Sequence, residues 1–143
     1  MKKNRTNPED VQKTKEVVAE EKEEKIATAT IVATGDIMFH LPQIRAGYDL
    51  KTDIYDFKNS FEYVKKYIDS ADLALGNFET VTAGREHGFK GYPNFNAPKE
   101  TLEALKYAGY DVLSTANNHC LDQGKKGLIS TIDAIQEYGL KNI

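Results

Sequence analysis

Short runs of β-branched and aliphatic residues alternate with segments of helical periodicity along most of the chain. Four runs predict strands: residues 27–37, 73–75, 111–116 and 140–143. Three segments between them carry apolar residues at helical spacing: residues 57–68, 98–109 and 125–138. Strands that alternate with helices of this length are joined by crossover connections. The pattern therefore predicts an α/β fold, with a mainly parallel sheet and helices on both of its faces.

Residues 1–25 break this pattern. They contain seven basic and seven acidic residues and no aromatic residue. Such a segment buries too little apolar surface to offset the entropy that is lost on ordering. We therefore expect a charged, disordered tether over residues 1–25, with a partner-binding helix as the alternative, and a folded body over residues 26–143.

Composition narrows the class of protein. The chain has 143 residues, of which 40% are hydrophobic and 29% charged, and its formal net charge is −3. A chain of this length supports a core without disulfides, and its single cysteine cannot form an internal one. Because sequence-independent nucleic-acid binding depends on a cationic field, the acidic balance argues against a nucleic-acid partner. No run approaches the roughly 20 apolar residues of a membrane-spanning helix.

Polar side chains that could bind a metal follow each of three consecutive predicted strands. In chain order they are Asp36 and His40, then Asn77 and Glu79, then Asn117, Asn118, His119 and Asp122. Parallel strands bring such residues to one carboxyl edge of the sheet, where open α/β folds bind their ligands. Each residue alone is compatible with a turn, a cap or a solvated loop. A single metal-centred site would account for Asp36, Glu79, Asn118 and His119 together.

The donor types indicate which chemistry such a site could support. Oxygen donors combined with an imidazole suit Mn²⁺, Mg²⁺, Zn²⁺ or iron rather than a metal that prefers thiolates. Two such cations, roughly 3.5–4 Å apart and bridged by a carboxylate, are a recurring arrangement for the hydrolysis of phosphate esters. A histidine beside them can protonate the leaving oxygen. The residues therefore permit a metal-dependent phosphoesterase.

Three stretches of sequence carry these residues. They are residues 31–38 (IVATGDIM), residues 71–80 (ADLALGNFET) and residues 116–124 (ANNHCLDQG). In this order and spacing they resemble the bacterial capsule-synthesis family called CapA, over about residues 31–143. The resemblance implies a role in poly-γ-glutamate synthesis and export, and a fold similar to that of calcineurin-like metallophosphoesterases. Residues 26–143 would then form the N-terminal portion of such a domain, half of its sandwich.

The resemblance also implies roles for individual residues. Asp36 resembles the metal-binding aspartate of the first motif, and Glu79 lies where the superfamily places a bridging carboxylate, with Asn77 as its support. Asn118 and His119 resemble a metal-binding asparagine and the neighbouring histidine that assists catalysis. Supporting roles are expected for three further residues, Asn117, His40 and Asp122.

The length of the chain limits what the resemblance implies. Family members continue well past the position of Ile143, and related metallophosphoesterases take further histidine ligands from that second half. We therefore expect a truncated portion, in which metal binding is weak or absent, with two ions bound only in the full-length protein. Whether the protein is an enzyme stays open; a catalytic form would be a metal-dependent phosphoester hydrolase, inactive as this portion alone.

Location follows from the resemblance as well. Family proteins are commonly held at the outer face of the bacterial membrane by an N-terminal hydrophobic segment, and the present sequence contains no such segment. The resemblance thus implies an extracytoplasmic or cell-surface location, with membrane association only through a segment absent from this chain.

A second candidate feature is the glycine-punctuated stretch over residues 80–97. It contains Arg85, His87 and Lys90, but not the spacing of a nucleotide-binding P-loop. A basic loop beside a metal crevice predicts binding of an anionic polymer or a phosphoester substrate. An ordinary surface loop is the alternative.

Three functions are compatible with the sequence. The first is a capsule or exopolymer assembly component that works with subunits of the capsule synthase complex. The second is a metal-dependent phosphoesterase with its own small substrate. The third is a non-catalytic interaction module of the assembly complex. The family resemblance favours the first.

Overall fold

The computed structural model describes residues 26–143. Six strands are present in this range: β1 (Ile31–Ile37), β2 (Tyr48–Asp49), β3 (Ile54–Tyr55), β4 (Leu73–Phe78), β5 (Val112–Ser114) and β6 (Lys141–Asn142). Four α-helices accompany them: α1 (Leu41–Ala46), α2 (Glu62–Ile68), α3 (Glu100–Ala108) and α4 (Gly124–Glu137). The predicted tether over residues 1–25 lies outside the described residues.

The main sheet has four parallel strands in the order β1-β4-β5-β6. Crossover connections that contain α2, α3 and α4 join its successive strands. This arrangement confirms the α/β prediction, and it is consistent with the partial metallophosphoesterase-like sandwich that the resemblance implies. Along β4, alternate residues are buried and the intervening ones are half-buried, so one face of the strand is covered more completely than the other.

An apolar core joins the sheet to the helices. Leu102 and Leu105 of α3 are fully buried, as is Leu113 of β5, and they pack in one cluster with Phe78 of β4 and Ile135 of α4. Burial of a leucine side chain contributes about 1.5–3 kcal/mol to stability. The predicted apolar face of α3 therefore holds the layers together. The apolar spacing of α4 predicts that Ile129 faces inward together with Ile135, but Ile129 is 47% exposed and α4 packs through Gly127, Thr131, Ala134 and Ile135.

The end of α3 follows the sequence prediction closely. Gly109 has a left-handed φ of 101°, and a side-chain carbon at this position would lie 2.8 Å from Asp69 Cα. Only glycine adopts this conformation freely, and only glycine leaves room for the turn that follows α2.

The stretch between β1 and α2 contains two elements that the sequence pattern does not predict. Helix α1 and a small hairpin of β2 and β3 occupy residues 41–55. Tyr48 pairs with Tyr55 across the hairpin, with ring centroids 4.8 Å apart. In its turn, Asp49 accepts hydrogen bonds from the Lys51 amide and the Thr52 hydroxyl. Such short elements lack enough residues to show a period.

The loop over residues 80–97 is organised around Asn96, which is fully buried. Its side-chain oxygen accepts a hydrogen bond from the Ala83 amide at 2.8 Å. Its side-chain nitrogen donates to the carbonyls of Gly84 and Gly88, each at 2.9 Å. The Asn96 side chain therefore connects three points of the loop. The base of the loop is anchored by these hydrogen bonds and differs in this from an ordinary surface loop.

We predict that Asn96→Ala destabilises the protein by about 2–4 kcal/mol, because it leaves the buried Ala83 amide without a hydrogen-bond partner and removes the bonds to the Gly84 and Gly88 carbonyls. Urea unfolding followed by circular dichroism measures the change. Asn94→Ala is the matched control, since Asn94 lies in the same loop with an exposed side chain and should change stability by less than about 0.5 kcal/mol. Equal effects of the two substitutions would contradict the role of Asn96.

Candidate metal centre

The candidate site lies at the carboxyl edge of the sheet, where the sequence analysis expected it. Asp36 lies near the end of β1, directly beside Asn77 of β4 in the strand register. A register irregularity in β1 between Ala33 and Asp36 sets this pairing. Such irregularities re-aim side chains at the ends of strands. Glu79 follows β4 immediately, so the two carboxylates come from neighbouring strands.

Asn77 connects the groups at this edge. Its side-chain nitrogen donates to Asp36 Oδ1 at 2.8 Å and to Glu79 Oε2 at 2.9 Å. Its side-chain oxygen accepts a hydrogen bond from Asn117 Nδ2 at 3.0 Å. An asparagine amide has two hydrogens to donate and an oxygen to accept, and all of these are used here. Asn77 therefore fixes both carboxylates at once.

The pair of carboxylates is electrostatically unbalanced. The pKa of Glu79 is raised above its ordinary value, first by burial and then by the hydrogen bond and the negative charge of Asp36; His119 and Asn77 oppose this rise. No Lys or Arg in residues 26–143 forms an ion pair with either carboxylate. Two neighbouring carboxylates without a cationic side chain form a site that favours a bound cation.

His119 is held on a different set of contacts. Its Nδ1 lies 2.9 Å from Asp122 Oδ2, and the exposed fractions of the two side chains are only 12% and 10%. Because a carboxylate only accepts hydrogen bonds, Nδ1 carries the hydrogen and Nε2 is the nitrogen left for chemistry. Asp122 also accepts a hydrogen bond from the Phe95 amide at 2.7 Å. The imidazole is thus oriented by a carboxylate that is itself fixed.

Phe95 is a further residue of this site, and the sequence pattern assigns it no role there. It is fully buried, and its ring is nearly perpendicular to two imidazoles: His119 with centroids 4.8 Å apart and His40 at 4.9 Å. Its position depends on the return of the loop at Asn96, which no local pattern reveals.

The two adjacent asparagines take different places. Asn117, expected only to support the site, donates hydrogen bonds to Asn77 Oδ1 and to the Phe78 carbonyl, and its own oxygen accepts one from the His119 amide. Asn118, which resembles a metal ligand, is exposed, and its side chain makes no hydrogen bond within residues 26–143. Asn117 thus joins the two halves of the site, while the oxygen of Asn118 remains available for a ligand.

The three basic residues of the loop do not converge. Arg85 pairs with Asp53 at 2.8 Å and lies over the ring of Tyr55, in the wall of a cavity of about 610 Å³. His87 is exposed, 3.8 Å from a carboxylate oxygen of the neighbouring Glu86. Lys90 lines a smaller cavity of about 290 Å³. A joint role in binding one anionic substrate therefore remains a hypothesis that this arrangement does not favour.

The donor set fits a divalent cation in type but not in number. Asp36 and Glu79 offer the carboxylate oxygens that Mg²⁺ and Mn²⁺ prefer, and the exposed Asn118 offers a carboxamide oxygen. Across residues 26–143, no three His, Cys, Asp or Glu side chains are grouped so that they could hold a metal ion. Such a site needs ligands from elsewhere to become complete.

The fold and this edge define an α/β protein with an acidic, asparagine-bridged site and an oriented histidine. Comparison with known proteins identifies the family: residues 30–143 match the family model described as bacterial capsule synthesis protein PGA_cap. The chain therefore belongs to this family of bacterial capsule synthesis proteins.

Two relatives extend the comparison. The chain is 36% identical over 136 residues to the capsule biosynthesis protein CapA of Bacillus anthracis, an alignment that covers 91% of this chain and 31% of the relative. It is 28% identical over 82 residues to the PGA biosynthesis protein CapA of Bacillus subtilis strain 168, which covers 56% of this chain and 22% of the relative. The chain thus spans less than a third of the length of either relative.

We predict that Glu79→Gln raises the melting temperature of the metal-free protein at pH 7 by roughly 3 °C, because it removes a buried negative charge beside Asp36. A carboxyl group whose pKa is raised on folding contributes stability at pH values below its pKa in the unfolded state. This contribution is lost as the pH rises through its pKa in the folded state. The ordinary value is 4.5, so the gap between variant and wild type should narrow from pH 7 to pH 5.

Thermal unfolding in EDTA at the two pH values tests this prediction. Glu86→Gln removes an exposed acid of the same loop region and should leave the melting temperature unchanged at both. A lower melting temperature for Glu79→Gln at pH 7 would show that the carboxylate pair is not repulsive.

Proposed function

We propose that this chain contributes a metal-dependent phosphoester-cleaving site to a protein of bacterial capsule synthesis. The observation that carries the proposal is the Asp36 and Glu79 pair, which Asn77 fixes at 2.8 and 2.9 Å beside an imidazole oriented by Asp122. Membership of the capsule synthesis family supports the biological role. The chemistry of the edge supports the reaction class.

The cation would be held by Asp36 and Glu79, with Asn118 as a further oxygen ligand. A bound divalent ion, whether manganese, zinc, magnesium or iron, supplies positive charge that neutralises the oxygens of a phosphoryl group. The longer protein would hold two ions, with the remaining ligands supplied from outside residues 26–143. Asn77 keeps the two carboxylates aligned in the absence of the ion, so that little reorganisation is needed on binding.

His119 would act as the general acid. With its Nδ1 hydrogen directed to Asp122, the imidazole presents Nε2, which carries a proton to the leaving oxygen when the phosphoester bond breaks. Asp122 stabilises the positive charge of the imidazolium before the transfer and holds the ring in place afterwards. The contact of the Phe95 ring with the imidazole limits the freedom of this side chain.

The substrate side of the proposal rests on the relatives. One is named for PGA biosynthesis and the other for capsule biosynthesis. We infer that the anionic polymer handled by the full-length protein is poly-γ-glutamate, at the outer surface of the cell, together with subunits of the capsule synthase complex. None of the helices in the described part of the chain is long and apolar enough to cross a membrane.

The small donor set favours one second candidate. Because residues 26–143 contain no group of three metal-binding side chains, the fold could serve as a non-catalytic interaction module on which other capsule subunits dock. In that case the edge would be a structural network of hydrogen bonds and not a reaction site.

We predict that Mn²⁺ binds the full-length family protein and that Asp36→Asn weakens binding about tenfold or more, equivalent to about 1.4 kcal/mol. Asn118→Ala should weaken it in the same direction. Isothermal titration calorimetry measures both affinities. Asp133 lies at an exposed position of α4, so the Asp133→Asn variant is the control and should bind Mn²⁺ as the wild type does. Equal affinity in all four proteins would favour the interaction module.

A second prediction concerns the proton. In the metal-loaded full-length protein, His119→Gln should lower kcat for a chromogenic phosphodiester by about 100-fold or more while leaving Mn²⁺ affinity within twofold of wild type. Asp122→Asn should lower kcat by a smaller factor and alter its dependence on pH, since the imidazole loses its orienting partner. Absence of turnover in wild type with bound Mn²⁺ would end the enzymatic proposal and leave the assembly role standing.

A further inference from the structure

A cavity of about 610 Å³ lies between α4, the start of α3 and the loop that follows β4. Its wall contains none of the residues of the candidate metal centre. The aromatic rings of Tyr55 and Phe89 form part of the wall, and residues of α4 from Lys126 to Glu137 form another part. This volume is typical of a site for a small molecule or a few residues of a peptide.

The charges in the wall balance. Three cationic and three anionic side chains line the cavity: Arg85, Lys99 and Lys126, with Glu100, Asp133 and Glu137. Two of the cations have ion-pair partners, since Arg85 pairs with Asp53 and Lys99 pairs with Glu137, each at 2.8 Å. Among the described residues, Lys126, Glu100 and Asp133 form no ion pair. The wall as a whole is neutral, so it offers little attraction for a polyanion.

The unpaired charges lie at different places along the cavity. Lys126 and Asp133 are seven residues apart on α4, which separates them by about 10 Å along the axis. The loop that follows β4 lies beside the first half and the middle of α4, where Ala83 is close to Gly127 and Thr82 forms hydrogen bonds with Ser130 and Thr131. The start of α3 lies beside the other end, because Lys99 bonds to Glu137. Lys126 therefore marks a cationic end, and Asp133 and Glu100 mark an acidic end.

We propose that this cavity binds a short peptide of near-neutral charge that has both of its ends free. The carboxylate of the peptide lies at Lys126, its ammonium group lies at Asp133 and Glu100, and its side chains pack against Tyr55 and Phe89. A tripeptide in an extended conformation spans about 10 Å, which matches the separation of the two charged ends. The neutral wall distinguishes this ligand from the anionic polymer proposed above, so the site is separate in place and in chemistry.

Titration of the 143-residue chain with trialanine, followed by NMR chemical shifts, tests the proposal. We expect saturable binding, with shifts confined to the cavity residues. Amidation of the carboxyl end or acetylation of the amino end should each weaken binding about fivefold, because each removes one charge contact. Triglutamate should bind more weakly than trialanine. No saturation by trialanine at 10 mM, on the order of the weakest useful affinity, or equal binding of all four peptides, would overturn the proposal.

Two variants assign the ends. Lys126→Gln should weaken trialanine about fivefold and leave the affinity of the amidated peptide unchanged. Asp133→Asn should also weaken the binding of trialanine about fivefold and leave the affinity for the acetylated peptide unchanged. Lys106→Gln and Glu62→Gln are matched controls on exposed positions of α3 and α2, and they should leave every affinity unchanged. Circular dichroism confirms that each variant is folded. A uniform loss across the three peptides in either cavity variant would contradict the assigned orientation.

Discussion

The parallel pairing of β1 with β4 is the constraint on which the candidate metal centre depends. A regular pairing would continue the register Ala33 to Leu75 along both strands, but the irregularity before Asp36 places this residue opposite Asn77. Side chains of paired residues in neighbouring strands point to the same face of a sheet. Asp36, Asn77 and the following Glu79 are thereby brought within hydrogen-bond distance before any ligand is present. The site is pre-organised by backbone pairing, and Asn77 only completes what the register begins.

The remaining half of the site is fixed by a loop and not by the sheet. Asp122 accepts a hydrogen bond from the Phe95 amide. Phe95 directly precedes Asn96, whose buried side-chain amide forms hydrogen bonds with the backbone of Ala83, Gly84 and Gly88. Asn117 then joins the two halves through Asn77 and the His119 amide. The carboxylates and the imidazole thus have separate supports, and Asn117 links them by hydrogen bonds.

Sequence patterns predicted the elements whose residues are numerous and periodic. The strands at residues 31–37 and 73–78 and the helices at residues 100–108 and 124–137 lie within a few residues of their predicted positions. β4 and the two helices place residues in the core, whereas β1 is largely exposed and buries only Ile37. Helix α1 and the β2–β3 hairpin were missed because they are too short to show a period, and because a ring that contacts the hairpin, Phe89 against Tyr55, is distant in sequence. The edge at Asp36, Asn77 and Glu79 could be foreseen from topology alone. The sequence does not predict that Arg85 and Lys90 line different cavities. The path of the glycine-rich loop that carries them is set by the hydrogen bonds of Asn96 and not by the spacing of its residues.

Loops usually tolerate insertions and deletions better than the strands that they connect. Here the base of the loop over residues 80–97 cannot change length freely. The Ala97 amide donates a hydrogen bond to the Val81 carbonyl, and the backbones of Lys90 and Asn96 form two hydrogen bonds with each other. A residue added next to one of these pairs would therefore move Phe95 away from Asp122. The tip at Tyr92, Pro93 and Asn94 is exposed, and the Asn94 carbonyl accepts a hydrogen bond from Gln123 Nε2 at 3.3 Å. We therefore expect an added residue to be tolerated better at Tyr92 and Pro93 than at the base of the loop, because the base sets the distance between Phe95 and Asp122.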